Sequence, residues 1–189
     1  FIKTRGNTSK LVDLGANPAR IGLLQPGPEA IFDPAFATFS PIEMVKTPTA
    51  ATFDFPVGSR LAALSYNAQS FMENNHLGAD LNGIGGWNSD LGDPVYAVSD
   101  GFVIYAGWPS DGWGNVVILL HERPNGKLIQ TLYSHLDSIH VPVDYSVRRG
   151  EQLGTMGNAN DRYLAHLHFE IRGYPSLAVG SGYYLTELG

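Results

Sequence analysis

The stretch HLHFEIR at residues 166–172 alternates polar and apolar side chains with a period of two. Residues two apart in a β-strand project from the same face, so His166 and His168 are expected to stand side by side, while the apolar residues between them face the opposite layer. Two imidazoles on one pleated face, followed by an acid and a base, are typical of the wall of a metal site. The stretch therefore predicts a strand that carries part of a metal centre, whose other ligands must come from elsewhere in the chain.

The composition favours many short strands over long helices. The 189 residues are 43% hydrophobic and 16% charged, and they include 22 Gly and 12 Pro, a texture that breaks helices and supplies turns. We therefore predict a mainly β fold, with antiparallel sheets around a metal-bearing groove. Proline-rich residues 1–50 read as an irregular N-terminal arm or lead-in, and residues 51–189 as the functional domain.

Charge and residue usage exclude several function classes. A net charge of -6 with one adjacent basic pair, Arg148-Arg149, argues against a nucleic-acid partner. The chain has no cysteine, which excludes disulfides and thiol catalysis. No apolar run reaches about 18 residues, so we predict no membrane span in this chain. A first residue other than Met, Phe1, is compatible with a processed terminus and with export to the periplasm, cell envelope or extracellular space.

The periodicity also predicts several local elements. Residues 61–68 suggest a helical turn, whereas residues 95–98 and 102–106 flank a Ser-Asp-Gly turn and predict a hairpin. Residues 116–121 and 127–135 flank a Pro-Asn-Gly turn and predict a second hairpin. Residues 147–156 suggest one more strand pair. These elements together describe a β meander.

Upstream candidates for the missing ligands are His76 and Asp80, at the junction of a loop and a strand. An extended chain would hold their Cα atoms about 13 Å apart, so we expect a bend, which Gly78 permits. Together with one histidine of the pair at 166 and 168, they supply three N/O ligands. Catalytic zinc takes three protein ligands and keeps a fourth position for water. At this stage the residues leave open which histidine of the pair binds the metal.

The remaining histidines divide into one candidate and two others. His135, in Tyr-Ser-His-Leu, is expected to end a neighbouring strand beside the site. His121 and His140 lie near turns without a polar cluster, and we leave them out. Each candidate alone is as well explained by a structural histidine. Their combination, three motifs at strand ends and on one alternating strand, favours a metal site. The sequence has no Ser elbow, no phosphate loop and no helical His-Glu-x-x-His motif.

Residues 53–175 resemble the lysostaphin-like zinc endopeptidases, which cleave peptides of the bacterial cell wall. The resemblance is carried by three ordered motifs: HLGAD at residues 76–80, YSHL at 133–136 and HLHFE at 166–170. It implies that His76, Asp80 and His168 hold Zn²⁺ and that His135 and His166 are the catalytic histidines. The approach to the last motif, residues 160–165, departs from the shorter Gly/Ser-rich family pattern, which bears on groove shape and substrate choice.

The function implied by the resemblance is hydrolysis of peptide bonds in peptidoglycan stem peptides or cross-bridges by a metal-activated water. One alternative is a non-hydrolytic lysostaphin-like domain that binds cell wall or regulates another hydrolase. A second alternative is a cupin-like metal enzyme, in which Glu170 would join the histidine pair as a ligand. Loops bearing Trp87, Trp108 and Trp113 are expected to wall an extended groove.

Overall fold

The computed structural model describes residues 46–58 and 63–173. Most of the predicted N-terminal arm, residues 1–45, lies outside the described residues, so the division at residue 50 stays a prediction. The described part of this segment runs along the sheet: Thr49 forms a parallel bridge with Glu122, and the backbone N–H of Ala50 donates to the carbonyl of Glu122 at 2.7 Å.

Within the described residues, nine strands form one antiparallel sheet, accompanied by a single 3₁₀ turn at Glu73–Asn75. This confirms the predicted mainly β, antiparallel class. No helix of the described residues is long and apolar enough to cross a membrane. The strands are β1 (Ser65–Gln69), β2 (Ala79–Gly83), β3 (Pro94–Tyr96), β4 (Gly101–Gly107), β5 (Asn115–Glu122), β6 (Leu128–Ile139), β7 (Ser146–Val147), β8 (Gln152–Met156) and β9 (Leu167–Arg172).

The strands follow the order β1-β2-β9-β6-β5-β4-β7, and β8 pairs with both β6 and β3. The predicted hairpin around the Pro-Asn-Gly turn is confirmed as β5 and β6. The helical turn predicted at residues 61–68 is wrong in its described part, because Ser65–Gln69 is an edge strand paired with β2. The strand pair predicted at residues 147–156 is also wrong, since β7 pairs with β4 whereas β8 pairs with β3 and β6.

The hairpin predicted around residues 99–101 is wrong for a tertiary reason. The turn between β3 and β4 is held by the segment that precedes β8: the N–H of Arg149 donates to Asp100 Oδ1 at 2.7 Å, and the N–H of Gly150 donates to the carbonyl of Ala97 at 2.8 Å. These bonds separate the two strands. As a result β3 pairs with β8, and β4 pairs with β5 and β7.

The sheet packs apolar side chains on both faces of an interior strand, β5. Val117 and Leu119 belong to the main core cluster, whereas Val116 and Ile118 join a second cluster. Both clusters are almost fully buried. The nearly continuous apolar sequence of β5 is thereby explained, because a strand covered on both sides does not alternate.

Strand β6 changes its neighbour half-way along its length. Residues 130–134 pair with β9, whereas Leu136, Ser138 and Ile139 pair with β8. His135 lies at the change, with a left-handed φ of 61°, and the pairing with β5 shifts register at the same place. A bulge of this kind re-aims a side chain out of the regular pleat. The prediction that His135 ends its strand is therefore wrong: the residue lies within β6.

One buried histidine outside the candidate site is His121, which the sequence gave no reason to single out. Its Nδ1 donates to the carbonyl of Asp100 at 2.7 Å, and its Nε2 accepts from the Thr131 hydroxyl at 2.7 Å. Burial lowers the pKa of this imidazole from 6.5 to about 4. The ring is therefore neutral in the folded protein at neutral pH.

The low pKa of His121 predicts a loss of stability in acid. Below pH 6.5 this histidine becomes protonated in the unfolded chain, whereas in the folded chain it stays neutral down to about pH 4. Acid therefore favours the unfolded chain, and the free energy of unfolding should fall by roughly 2–3 kcal/mol between these two pH values. His121→Gln removes this contribution. Urea unfolding at pH 7 and pH 4.5, with a chelator present, should show a smaller acid-induced loss for the variant. Equal losses in both proteins would contradict the prediction.

Candidate metal centre and active-site groove

Two of the predicted ligands are placed by strand register. Asp80 on β2 lies directly opposite His168 on β9, and opposite residues in an antiparallel pair project from the same face. Asp80 Oδ1 is 3.0 Å from His168 Nδ1. The polar face of β9 is the more buried one: His168, Glu170 and Arg172 are at most 3% exposed, whereas Ile171 on the other face is 56% exposed. Polar groups buried this deeply must be paired.

The third predicted ligand, His76, follows the 3₁₀ turn that precedes β2. Its Nε2 is 3.0 Å from Asp80 Oδ1 and 2.8 Å from His168 Nδ1. The expected bend between residues 76 and 80 is confirmed, but Gly78 serves a different purpose from the one predicted. A Cβ at position 78 would lie 2.6 Å from the carbonyl oxygen of Phe169 and 2.9 Å from His168 Nε2. Glycine is required there because β9 approaches too closely for any side chain.

The outer hydrogen bonds of His76 and His168 determine which ring nitrogen of each is available as a metal ligand. His76 Nδ1 donates to the carbonyl of Ser70 at 3.3 Å, and His168 Nε2 donates to Glu170 Oε1 at 2.9 Å. With a metal ion bound, His76 Nε2 and His168 Nδ1 would therefore be the nitrogens whose lone pairs face the ion beside Asp80. Three electron-rich atoms thus lie within 3.0 Å of one another. A tetrahedral ion with bonds of 2.0–2.1 Å separates its ligands by about 3.3 Å, so these residues fit a zinc ion.

The charges of the cluster agree with a cation site. Burial alone would raise the pKa of Asp80, but hydrogen bonds from His168 and His76 outweigh it and hold this pKa far below its usual range. Burial would likewise lower the pKa of His168, yet Asp80 and Glu170 raise it. Asp80 therefore presents a carboxylate to this position, as a cation site requires.

Behind His168, a buried ion pair that the sequence did not identify fixes the ring. Glu170 Oε1 accepts from His168 Nε2, and Glu170 Oε2 accepts from Arg172 Nε at 2.6 Å. A carboxylate that holds the outer nitrogen of a metal-binding imidazole sets its tautomer and raises its basicity. The period-two pattern of β9 was the sequence signal that Glu170 and Arg172 share a face with His168. Glu170 points at the outer nitrogen of His168, which contradicts the cupin-like alternative in which it is a ligand.

Glu170→Gln is therefore expected to weaken zinc binding by about 10- to 100-fold, the range typical of carboxylates behind a metal ligand. Glutamine is isosteric but neutral, so it polarises His168 less and removes the negative charge beside Arg172. Competition titrations against a chromophoric chelator at pH 7 measure the change. Glu122→Gln, at the far end of β5, is the matched control. An unchanged zinc affinity for the Glu170 variant would show that the carboxylate has only a packing role.

His135 is brought to the same cluster from β6. A single backbone carbonyl, that of Trp113, accepts both the main-chain N–H of His135 at 2.9 Å and its Nδ1–H at 3.1 Å. These two hydrogen bonds to one carbonyl oxygen fix both the backbone and the ring of His135, which has a left-handed φ. The Nε2 atom of His135 is thereby left as the basic nitrogen. No sequence signal connected the loop of Trp113 with this role.

His166 precedes β9 and completes the group. Its backbone bridges Gly157, its Nδ1 donates to the carbonyl of Leu164 at 2.7 Å, and its Nε2 is 3.7 Å from Asp80 Oδ1. The His135 and His166 ring centroids are 4.7 Å apart. Sequence reasoning thus named five side chains that the structure brings together, three in one tight cluster and two beside it.

Both neighbouring imidazoles are kept neutral by their surroundings. Burial, followed by repulsion from His166 and His168, lowers the pKa of His135 to about 3, and burial also lowers the pKa of His166. A neutral imidazole whose Nδ1 is bonded to a carbonyl offers Nε2 as a proton acceptor. The pair can therefore accept a proton from water and return it to a leaving group.

A groove of about 420 Å³ opens onto this cluster. Trp113 lines it, whereas the lining residues do not include Trp87 or Trp108, so the structure supports one of the three tryptophans predicted as its walls. Tyrosines and small or amide side chains make up most of the remaining surface. The lining residues are Tyr66, Ala68, Gln69, Asp80, Asn82, Gly112, Trp113, His135, Tyr163, Leu164, His166 and His168.

Comparison with known proteins decides the family. The sequence profile described as Peptidase family M23 matches residues 75–179, more than half of the chain and all three motifs. The chain belongs to peptidase family M23. This confirms the resemblance to the lysostaphin-like peptidases. The fold agrees: a crystal structure from Pseudomonas aeruginosa assigned as a peptidase M23 superposes on this M23 chain with a TM-score of 0.55 at 24% identity, covering 79% of this chain and 57% of the other.

Relatives of this M23 chain differ in what their names describe. The cell division protein DipM of Caulobacter vibrioides is 38% identical over 46% of this chain and 14% of its own length. The glycyl-glycine endopeptidase ALE-1 of Staphylococcus capitis is 33% identical over 51% of this chain and 24% of its own. The murein hydrolase activator NlpD of Salmonella dublin is 32% identical over 61% and 27%. The chain thus spans at most about a quarter of each of these relatives.

Proposed function

We propose that this chain is a zinc-dependent endopeptidase that hydrolyses peptide bonds in peptidoglycan stem peptides or cross-bridges. The observation that carries the proposal is the cluster of three lone-pair atoms within 3.0 Å, flanked by two neutral imidazoles and open to a groove. A structural zinc site normally has four protein ligands, whereas three ligands and an open position are the arrangement of a catalytic one.

The chain's own residues divide the work as follows. His76, Asp80 and His168 would hold Zn²⁺, which when bound supplies the Lewis acidity that polarises a peptide carbonyl and makes water acidic enough to react near neutral pH. His135 and His166 accept the proton of the attacking water at Nε2, donate to the carbonyl oxygen as it gains negative charge, and return the proton to the departing amine. The carbonyls of Trp113 and Leu164 keep both rings in the tautomer that this requires.

A second candidate is a non-hydrolytic role, in which the groove binds wall peptides and the domain regulates another hydrolase. The relatives named as murein hydrolase activators favour it. What supports the enzyme instead is that all five positions implied by the three motifs are occupied by residues able to serve. Relatives whose names describe lipoproteins and murein proteins support a place in the cell envelope or outside it.

One experiment separates the two candidates. The zinc-loaded chain is incubated with purified peptidoglycans of different cross-bridge chemistry, and the released peptides are identified by mass spectrometry. Release of new amino termini that requires zinc and stops with a chelator is the expected result. Zinc-loaded protein that binds the wall but releases no peptide from any of the preparations would reject the endopeptidase and favour the regulatory role.

A further inference from the structure

Tyr163 lies against both histidines of the proposed proton relay. Its ring centroid is 4.8 Å from that of His135, with an interplanar angle of 50°, and 5.9 Å from that of His166, at 71°. Both separations fall in the range of about 4.5–7 Å in which aromatic pairs attract one another. One phenol ring therefore contacts both imidazoles at the mouth of the groove.

The contact with His135 is one half of an aromatic enclosure. The indole of Trp113 stacks on the same imidazole at 6.3 Å with an interplanar angle of 22°. Trp113 is 5% exposed and part of a core cluster, whereas Tyr163 is 39% exposed and lines the groove. His135 is thus packed by one fixed ring of the core and by one ring from a surface loop.

The loop that carries Tyr163 is built to hold this position. Asn158 and Asp161 exchange two hydrogen bonds, from Asn158 Nδ2 to Asp161 Oδ1 at 2.9 Å and from the N–H of Asp161 to Asn158 Oδ1 at 3.0 Å. The carbonyl of Asn158 also accepts the N–H of Tyr163 at 3.1 Å. Residues 159–161 all have left-handed φ values between 54° and 63°. L-residues rarely adopt such a run, and it persists only where its surroundings hold it.

We propose that Tyr163 is a positioning residue of this site, whose ring fixes the orientation of the His135 and His166 imidazoles toward bound substrate. It acts through these two side chains and does not itself touch the reacting atoms. The inference rests on the proposed hydrolytic function and adds a residue that the three motifs do not contain. The apolar face of the ring carries the effect, so its hydroxyl group is dispensable.

Steady-state kinetics of the zinc-loaded chain on a soluble cell-wall peptide test the proposal. Tyr163→Ala should lower kcat by about 10- to 100-fold, the cost of misplacing catalytic groups by about an ångström, with KM changed by less than about twofold. Tyr163→Phe should restore kcat. Tyr145→Ala is the matched control, because this tyrosine is exposed to a similar extent and is not among the residues that line the groove. A Tyr163→Ala variant with normal kcat, or one with raised KM alone, would overturn the proposal.

Imidazole NMR spectra of the zinc-loaded proteins provide a readout that does not depend on hydrolysis. The ring signals of His135 and His166 should shift and broaden in Tyr163→Ala, and should stay near their wild-type positions in Tyr163→Phe and Tyr145→Ala. Unchanged signals in the alanine variant would refute the positioning role. If the wild-type chain binds zinc but hydrolyses nothing, the proposed function fails, while these spectra still decide whether Tyr163 holds the rings.

Discussion

Replacing His168 with alanine is expected to abolish zinc binding and hydrolysis together. His168 Nδ1 lies within 3.0 Å of both other proposed ligand atoms, and its Nε2 donates a hydrogen bond to Glu170. The loss should exceed the 10- to 100-fold typical of changes behind a ligand, because the variant keeps only two protein ligands. Zinc bound per chain, measured by elemental analysis after dialysis, should drop from one to a trace.

Two controls protect this prediction. His140→Ala removes an exposed imidazole whose Nε2 lies 3.0 Å from the Ser138 hydroxyl, away from the proposed ligands, and it should retain zinc and activity. The circular dichroism spectrum of His168→Ala should match that of the wild type, because alanine can keep the backbone pairing of β9 with β2 and β6. Stoichiometric zinc in a folded His168→Ala variant would mean that the proposed ligand set is wrong.

Replacing His135 is expected to separate metal binding from chemistry. Its imidazole belongs to none of the three close ligand contacts, so zinc affinity should remain within about twofold. Loss of a positioned general acid or base typically costs about 10²- to 10⁴-fold in rate, and kcat should fall by that amount. Peptide release and zinc content are measured on the same preparation, which makes the separation direct.

The substitution needs care, because His135 has a left-handed backbone. Alanine is strained at a φ of 61°, whereas asparagine tolerates this region well. His135→Asn is therefore the cleaner variant, and it should be as inactive as His135→Ala while unfolding at a higher denaturant concentration. Wild-type cleavage rates in the asparagine variant would remove His135 from the mechanism.

The sequence predicted which polar side chains come together better than it predicted how the strands pair. The alternation at residues 166–172 is a local property of one strand, and it placed His166 and His168 on one face correctly. Asp80 followed from the need for further ligands, and its register opposite His168 supplied the contact. The shared face of the two histidines and the choice of Asp80 depend on periodicity and residue type, both of which can be read from a sequence.

Features that arise between distant segments could not be predicted in this way. The Ser-Asp-Gly turn before β4 has the composition of a hairpin, but bonds from Arg149 and Gly150 separate its flanking strands. The bulge at His135 results from β6 meeting two different neighbours. The ring of Tyr163 contacts His135 from a loop whose preceding turn has three left-handed residues. None of these has a short-range signature.

The change of partner along β6 has a further consequence for how such a domain can diversify. His135 has hydrogen-bonded backbone on either side of it in β6. Inserting or deleting one residue in this strand would therefore turn the His135 side chain away from the proposed ligands. The loop at residues 158–165 is restricted as well, because it places Tyr163 against both imidazoles and supplies the Leu164 carbonyl to His166. The edge strand β1 contributes Tyr66, Ala68 and Gln69 to the groove without contacting these two rings through any of the bonds that fix them. New substrate preferences, in nature or in the laboratory, should therefore come first from substitutions on β1.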